Sequence, residues 1–155
     1  MEVTRPPLFV YGTLQYKPVL NFLLRRVPTC KPAVIRGYRR CRIIGLPYPA
    51  VVVDEAESVE GMLLFDLRED EMEVLHDYEG EEYALQEGVE AVMAGGEAAT
   101  CSLYMWRDEY LDMLVRPLEP WDQLAFEKND LDDFVTSLRS GVSAMQSWGD
   151  ESMSQ

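Results

Sequence analysis

Two short stretches of this 155-residue sequence hold side chains suited to chemistry. The first is Tyr11-Gly12-Thr13-Leu14. A glycine lets the backbone turn sharply and come close to a ligand. Successive N–H groups exposed at such a turn can cradle an anion, either a carboxylate or a developing oxyanion. The second is His76-Asp77-Tyr78-Glu79-Gly80, within an acidic cluster that also contains Glu81 and Glu82. A carboxylate turned inward there, into a desolvated pocket, would acquire a raised pKa and serve as acid and base. Glu79 is the candidate, flanked by Tyr78 and by Gly80, which permits an unusual backbone. Each stretch also has a plainer reading, the first as an ordinary turn and the second as a solvated helix end. Composition alone does not separate these alternatives. Gly45-Leu46-Pro47-Tyr48-Pro49-Ala50-Val51 is a third stretch, stiffened by its prolines, in which Tyr48 is placed to line a cavity or simply a rigid loop.

Several other chemistries are excluded. His76 is the single histidine, so a histidine-rich metal site cannot be built. The sequence contains no Gly-x-Ser-x-Gly elbow, Walker-type loop or Gly-x-Gly-x-x-Gly fingerprint. The three cysteines, Cys30, Cys41 and Cys101, show no Cys-x-x-Cys spacing. They read as reduced thiols, at least two of them in the core. No cofactor is expected. The formal net charge of −14 disfavours phosphate backbones and anionic membranes, so neither nucleic acid nor membrane is an expected partner. The apolar runs are too short to span a bilayer and the first residues lack an apolar signal region, so cytoplasmic residence is expected. Oligomeric state is not legible.

The elements that must position these residues follow from periodicity. Leu8–Tyr11 reads as a strand running into the Gly12 turn, and Pro18–Arg26 as a short helix. Lys31–Ile44 reads as one or two strands with a bend at Gly37, followed by a turn over Gly45–Pro49. Ala50–Val53 and Val59–Leu67 read as strands separated by an acidic loop, Asp54–Ser58. Glu69–His76 is helical. Tyr83–Met93 and Ala98–Trp106 pair through Gly95-Gly96, and their aromatics Tyr83, Tyr104 and Trp106 suit a core. One longer helix is expected over Trp121–Leu138, burying Leu124, Leu131, Phe134 and Leu138 and stopped by Gly141. The expected fold class is α+β, a small mixed β-barrel with peripheral helices. A single domain spans 1–141, and 142–155 read as a disordered tail.

The order of these segments resembles the gamma-glutamyl cyclotransferase-like superfamily. Phe-Val-Tyr-Gly-Thr-Leu comes first, then Gly37-Tyr38-Arg39-Arg40, Tyr48-Pro49-Ala50-Val51 and Val59-Glu60-Gly61. Asp77-Tyr78-Glu79-Gly80 with Glu82-Tyr83 follows, and Trp121-Asp122 precedes the last helix. The likeness spans Leu8 to Leu138 and is strongest to the branch of avirulence-induced plant proteins and their fungal and protist relatives. It implies that a gamma-glutamyl amide is the substrate. The substrate's own α-amine would attack its γ-carbonyl, releasing 5-oxoproline and a free amine. It assigns Glu79 as general acid/base and Tyr11, Gly12, Thr13 and Leu14 to the glutamyl end, with Gln15, Tyr16 and Tyr83 as further substrate-binding residues. Relatives often carry Arg soon after the tyrosine matching Tyr83, where this chain has Ala84-Leu85-Gln86. Two other functions fit the same sequence: a binding protein that keeps the pocket without turnover, and an interaction protein acting through its acidic surface and tail. The identity of the leaving amine is not legible.

Overall fold

The computed structural model describes residues 5–140. The 142–155 tail and the Gly141 helix stop therefore lie outside the described residues. Five strands form a closed barrel in the order β1-β3-β2-β4-β5, where β1 is Leu8–Val10, β2 Cys30–Arg42, β3 Pro49–Leu64, β4 Tyr83–Met93 and β5 Ala98–Trp106. Neighbours are antiparallel except at the seam, where β1 runs parallel to β5 through Leu8↔Ser102 and Phe9↔Leu103. Among the described residues, four α-helices lie around it: α1 (Lys17–Leu24), α2 (Glu69–Glu79), α3 (Gln123–Asn129) and α4 (Leu131–Arg139). This is the α+β mixed barrel with peripheral helices expected from the sequence.

Alternation along the strands sorts the core into two layers. Phe9, Ile35, Val51, Leu63, Ala91, Cys101 and Leu103 share one buried cluster drawn from strands, the barrel interior. Leu8, Val10 and Leu64 point the other way and join Leu20, Leu75, Phe126 and Phe134 under the helices. Cys41 and Cys101 are fully buried and all three thiols are free. The β1–β3 contact is very close. A Cβ on Gly61 would lie 2.3 Å from the Val10 carbonyl oxygen, so only glycine fits beside β1.

Two expectations need correction. Asp54–Ser58 is not a loop between strands but part of β3, which runs unbroken from Pro49 to Leu64. Its ladder with β2 skips from Arg36↔Ser58 to Tyr38↔Val53 around Gly37, whose φ is +90°. The acidic residues bulge outward opposite that bend and carry no apolar signal of a strand. The single C-terminal helix is instead two, because Asp130 (φ −124°) leaves the helical region between α3 and α4. The break changes the buried face. Leu124 is 76% exposed, and Phe126 is buried in its place at 2%. Asp122 caps α3 by accepting from the Ala125 N–H at 3.0 Å. Among the described residues, no helix is long and apolar enough to cross a membrane.

Candidate functional site

A hollow opens where the end of β1 meets the end of α2. Chain direction brings the two together. β1 delivers Tyr11, and a 3-10 turn over Thr13–Gln15 follows Gly12. The sequence pattern around Met72 and Leu75 ends the helix at His76, but α2 runs three residues further and ends on Glu79. Gly80 (φ +83°, ψ −174°) then takes a backbone conformation open essentially to glycine, which stops α2 and leaves Glu79 at its tip. Glu79, Tyr11, Gly12, Thr13, Leu14 and Tyr83 all line the hollow. Its cavity volume is about 30 Å³.

Glu79 is half-buried as a residue, with its carboxyl on the hollow. It makes no side-chain hydrogen bond or ion pair among the described residues. Burial without a compensating partner pushes its carboxyl from the ordinary 4.5 up to about 8. Around it stand Tyr11, Tyr48, Tyr78, Tyr83 and Tyr104. Burial is the main cause that raises all these phenols, and the nearby Glu79 charge adds to it, so they remain protonated donors.

Most of these hydroxyls are tied into the frame. The Tyr11 hydroxyl donates to the Tyr104 carbonyl. Those of Thr13 and Tyr78 share a hydrogen bond of 2.8 Å, which pins the turn to α2. Tyr83 donates to the Pro49 carbonyl at 2.8 Å, and its ring meets Trp106 edge-on. The Tyr104 hydroxyl lies 3.3 Å from His76 Nδ1. Behind the turn, Arg40 donates to the Tyr11 carbonyl at 2.7 Å and stacks over Trp121 at 5.1 Å. The backbone N–H groups of Gly12, Thr13 and Leu14 make no hydrogen bond among the described residues.

Gln15 and Tyr16 do not line the hollow. The Gln15 amide folds back to donate to the Gly12 carbonyl at 3.3 Å. Tyr16 faces α3, donating to Glu127 at 2.8 Å and packing on Phe126. Conversely, Tyr78 and Tyr104 belong to the hollow and were not among the sequence candidates, while Tyr48, read from the sequence as lining either a cavity or a rigid loop, lines the hollow. Tyr48 and Tyr78 sat inside stretches already singled out, whereas Tyr104 looks like any core aromatic. Among the described residues, no group of His, Cys, Asp and Glu is arranged to hold a metal ion.

A family model described as gamma-glutamyl cyclotransferase, AIG2-like, matches residues 8–123. AIG2-like protein C of Arabidopsis thaliana is 33% identical over 133 residues, covering 85% of this chain and 75% of that protein. The solution structure of an Arabidopsis thaliana protein matches with a TM-score of 0.67 at 28% identity, over 90% of this chain and 92% of that one. A solved gamma-glutamyl cyclotransferase shares the fold, with a TM-score of 0.61 at 14% identity over 87% of this chain and 86% of that one. By the span of the family match and the Arabidopsis identity together, the chain belongs to the AIG2-like gamma-glutamyl cyclotransferase family.

Proposed function

We propose that the protein is a gamma-glutamyl cyclotransferase, releasing 5-oxoproline and a free amine from a gamma-glutamyl amide with Glu79 as general acid/base. One observation carries the proposal. An unpartnered carboxyl with a pKa of about 8 shares a hollow with the unbonded backbone N–H groups of Gly12, Thr13 and Leu14.

The chemistry asks little else of the protein. The nucleophile is the substrate's own α-amine, so no enzymic serine or cysteine is needed. In the free substrate that amine is an ammonium. Glu79 accepts its proton, the nitrogen attacks the γ-carbon, and the carbonyl oxygen gains charge. As the γ-carbon–nitrogen bond breaks, Glu79 returns a proton to the departing nitrogen. Overall two protons leave the attacking nitrogen and two arrive on the leaving one, and the carboxyl carries each in turn. A carboxyl near pH 8 is matched to an amine, where an ordinary carboxylate would be too weak a base. Such proton transfer contributes roughly 10²–10⁴-fold. Binding also folds the glutamyl chain so that amine and carbonyl meet, an effect worth about 7–11 kcal/mol in well-oriented systems. The N–H groups of the turn suit the substrate's α-carboxylate. Gln15 and Tyr16, turned away from the hollow, hold the turn's shape instead of the ligand.

The test is 5-oxoproline release from a panel of gamma-glutamyl compounds by wild type and Glu79→Gln. Turnover in wild type and at least a 1,000-fold loss in the variant, on the order expected for removing an acid/base group, are the expected results. A variant of near wild-type rate removes Glu79 from the mechanism. Binding without release leaves a pocket that recognises and does not convert its ligand.

A further inference from the structure

The phenols around the hollow differ in one respect. The hydroxyls of Tyr11, Tyr78, Tyr83 and Tyr104 are each engaged with another group of the protein. Tyr48 is 6% exposed, lines the same hollow, and its hydroxyl has no hydrogen-bond partner among the described residues. Buried hydroxyls normally find one.

Its surroundings keep it from finding another. Pro47 and Pro49 flank it and fix the backbone on both sides. The Pro47 carbonyl accepts from Trp121 Nε1 at 2.7 Å, and the Pro49 carbonyl accepts from Tyr83 at 2.8 Å. The residue is clamped at both ends, and its one free donor is held in place before any ligand arrives. Burial and the charges of Glu82 and Glu79 raise the phenol above its ordinary value, so it donates and does not ionise.

We infer that Tyr48 is a further catalytic residue, whose hydroxyl donates a hydrogen bond to the γ-carbonyl oxygen of the bound glutamyl group as that oxygen becomes an oxyanion. This rests on the cyclotransferase proposal above. The neighbouring acids choose the atom. A full α-carboxylate placed beside Glu79 and Glu82 would be repelled, whereas the γ-carbonyl oxygen is neutral on arrival. It gains charge only as Glu79 takes the amine's proton and loses its own charge. A donor fixed in advance at that point stabilises the transition state more than the ground state.

Tyr48→Phe keeps the ring and removes the oxygen. With a gamma-glutamyl substrate that wild type converts, kcat should fall roughly 100-fold while KM changes less than about threefold. The melting temperature should stay level or rise, because the lost hydroxyl had no partner in the fold. A kcat within threefold of wild type overturns the assignment, as does a loss confined to KM. A variant that melts several degrees lower, or fails to fold, also overturns it, by showing the hydroxyl is bonded within the protein. The cyclotransferase proposal fails separately, if wild type binds a gamma-glutamyl probe by calorimetry and releases no 5-oxoproline. The contact is then decided by affinity for that probe: about tenfold weaker binding by Tyr48→Phe upholds it, and equal affinity overturns it. A wild type that neither binds nor converts any probe overturns both.

Discussion

Glu79→Gln should make the protein more stable, by an amount that depends on pH. Folding raises the Glu79 pKa from 4.5 to about 8 through burial. Between those values the folded state holds a proton that the unfolded state has lost. The folded state then binds more protons, so this group's contribution to stability falls as pH rises through the window. One pKa unit corresponds to about 1.4 kcal/mol. Relative to acid pH, the raised pKa of Glu79 therefore costs wild type about 3 kcal/mol at pH 7, where the folded carboxyl still holds its proton, and about 5 kcal/mol by pH 9, against a typical total of 5–15 kcal/mol. Glutamine does not titrate and escapes that cost. Urea unfolding of both proteins, from pH 4.5 to 9, gives the difference in free energy directly, and every other acid cancels in the subtraction. Burying the amide adds a constant that displaces the curve without tilting it. The expected difference climbs in favour of Glu79→Gln by about 4 kcal/mol across the range. A flat difference, or one that falls with pH, would refute the desolvation of this carboxyl and with it the chemical match to an amine.

Two further changes probe the frame. In Gly12→Ala the new Cβ would lie 2.8 Å from Pro49 Cδ and 3.0 Å from Cγ, so Pro49, whose carbonyl accepts from Tyr83, must shift. Loss of about 1–3 kcal/mol of stability and at least tenfold in kcat/KM is expected, checked by melting temperature and steady-state kinetics. Arg26→Met removes a bidentate partner, both contacts 2.7 Å, from Glu71, whose side chain is only 3% exposed. Because Arg26 is partly in solvent, the loss should be about 2 kcal/mol at pH 7, read by urea unfolding. Arg26 holds Glu71 below its ordinary value, so the wild-type advantage should shrink as pH falls through the carboxylate range.

What the sequence revealed depended on how strongly each segment signals alone. β4 and β5 were legible to the residue, because β-branched and aromatic residues flank an unambiguous Gly95-Gly96 turn. The acidic middle of β3 was not, since Asp54 to Glu57 are bulged out of the β2 ladder and their side chains carry no apolar signal of a strand. The α3–α4 break was hidden because helical periodicity continues on either side of Asp130, and only the phase slips, exposing Leu124 and burying Phe126. In the candidate site, the Gly12 turn and Glu79 stood out as unusual residues at element ends. Tyr78 and Tyr104 did not, because a buried phenol resembles any core aromatic until its hydroxyl partner is known. Gln15 and Tyr16 were grouped with the turn by adjacency, yet the 3-10 turn swings Tyr16 onto Glu127 of α3.

Three residues, Leu8–Val10, close the barrel by inserting between β3 and β5. That same segment leads into Tyr11 and Gly12, so the seam and one wall of the hollow are a single piece of chain. Its partner Leu103 lies far along the polypeptide from Phe9. A ribosome-bound chain still lacking β5 can thus pair its first strand with β3 but cannot close the ring, and joining such distant segments is a slow step in folding. On the cyclotransferase proposal, turnover would then appear only with the finished barrel and would report complete folding, including in chains whose secondary structure already looks native.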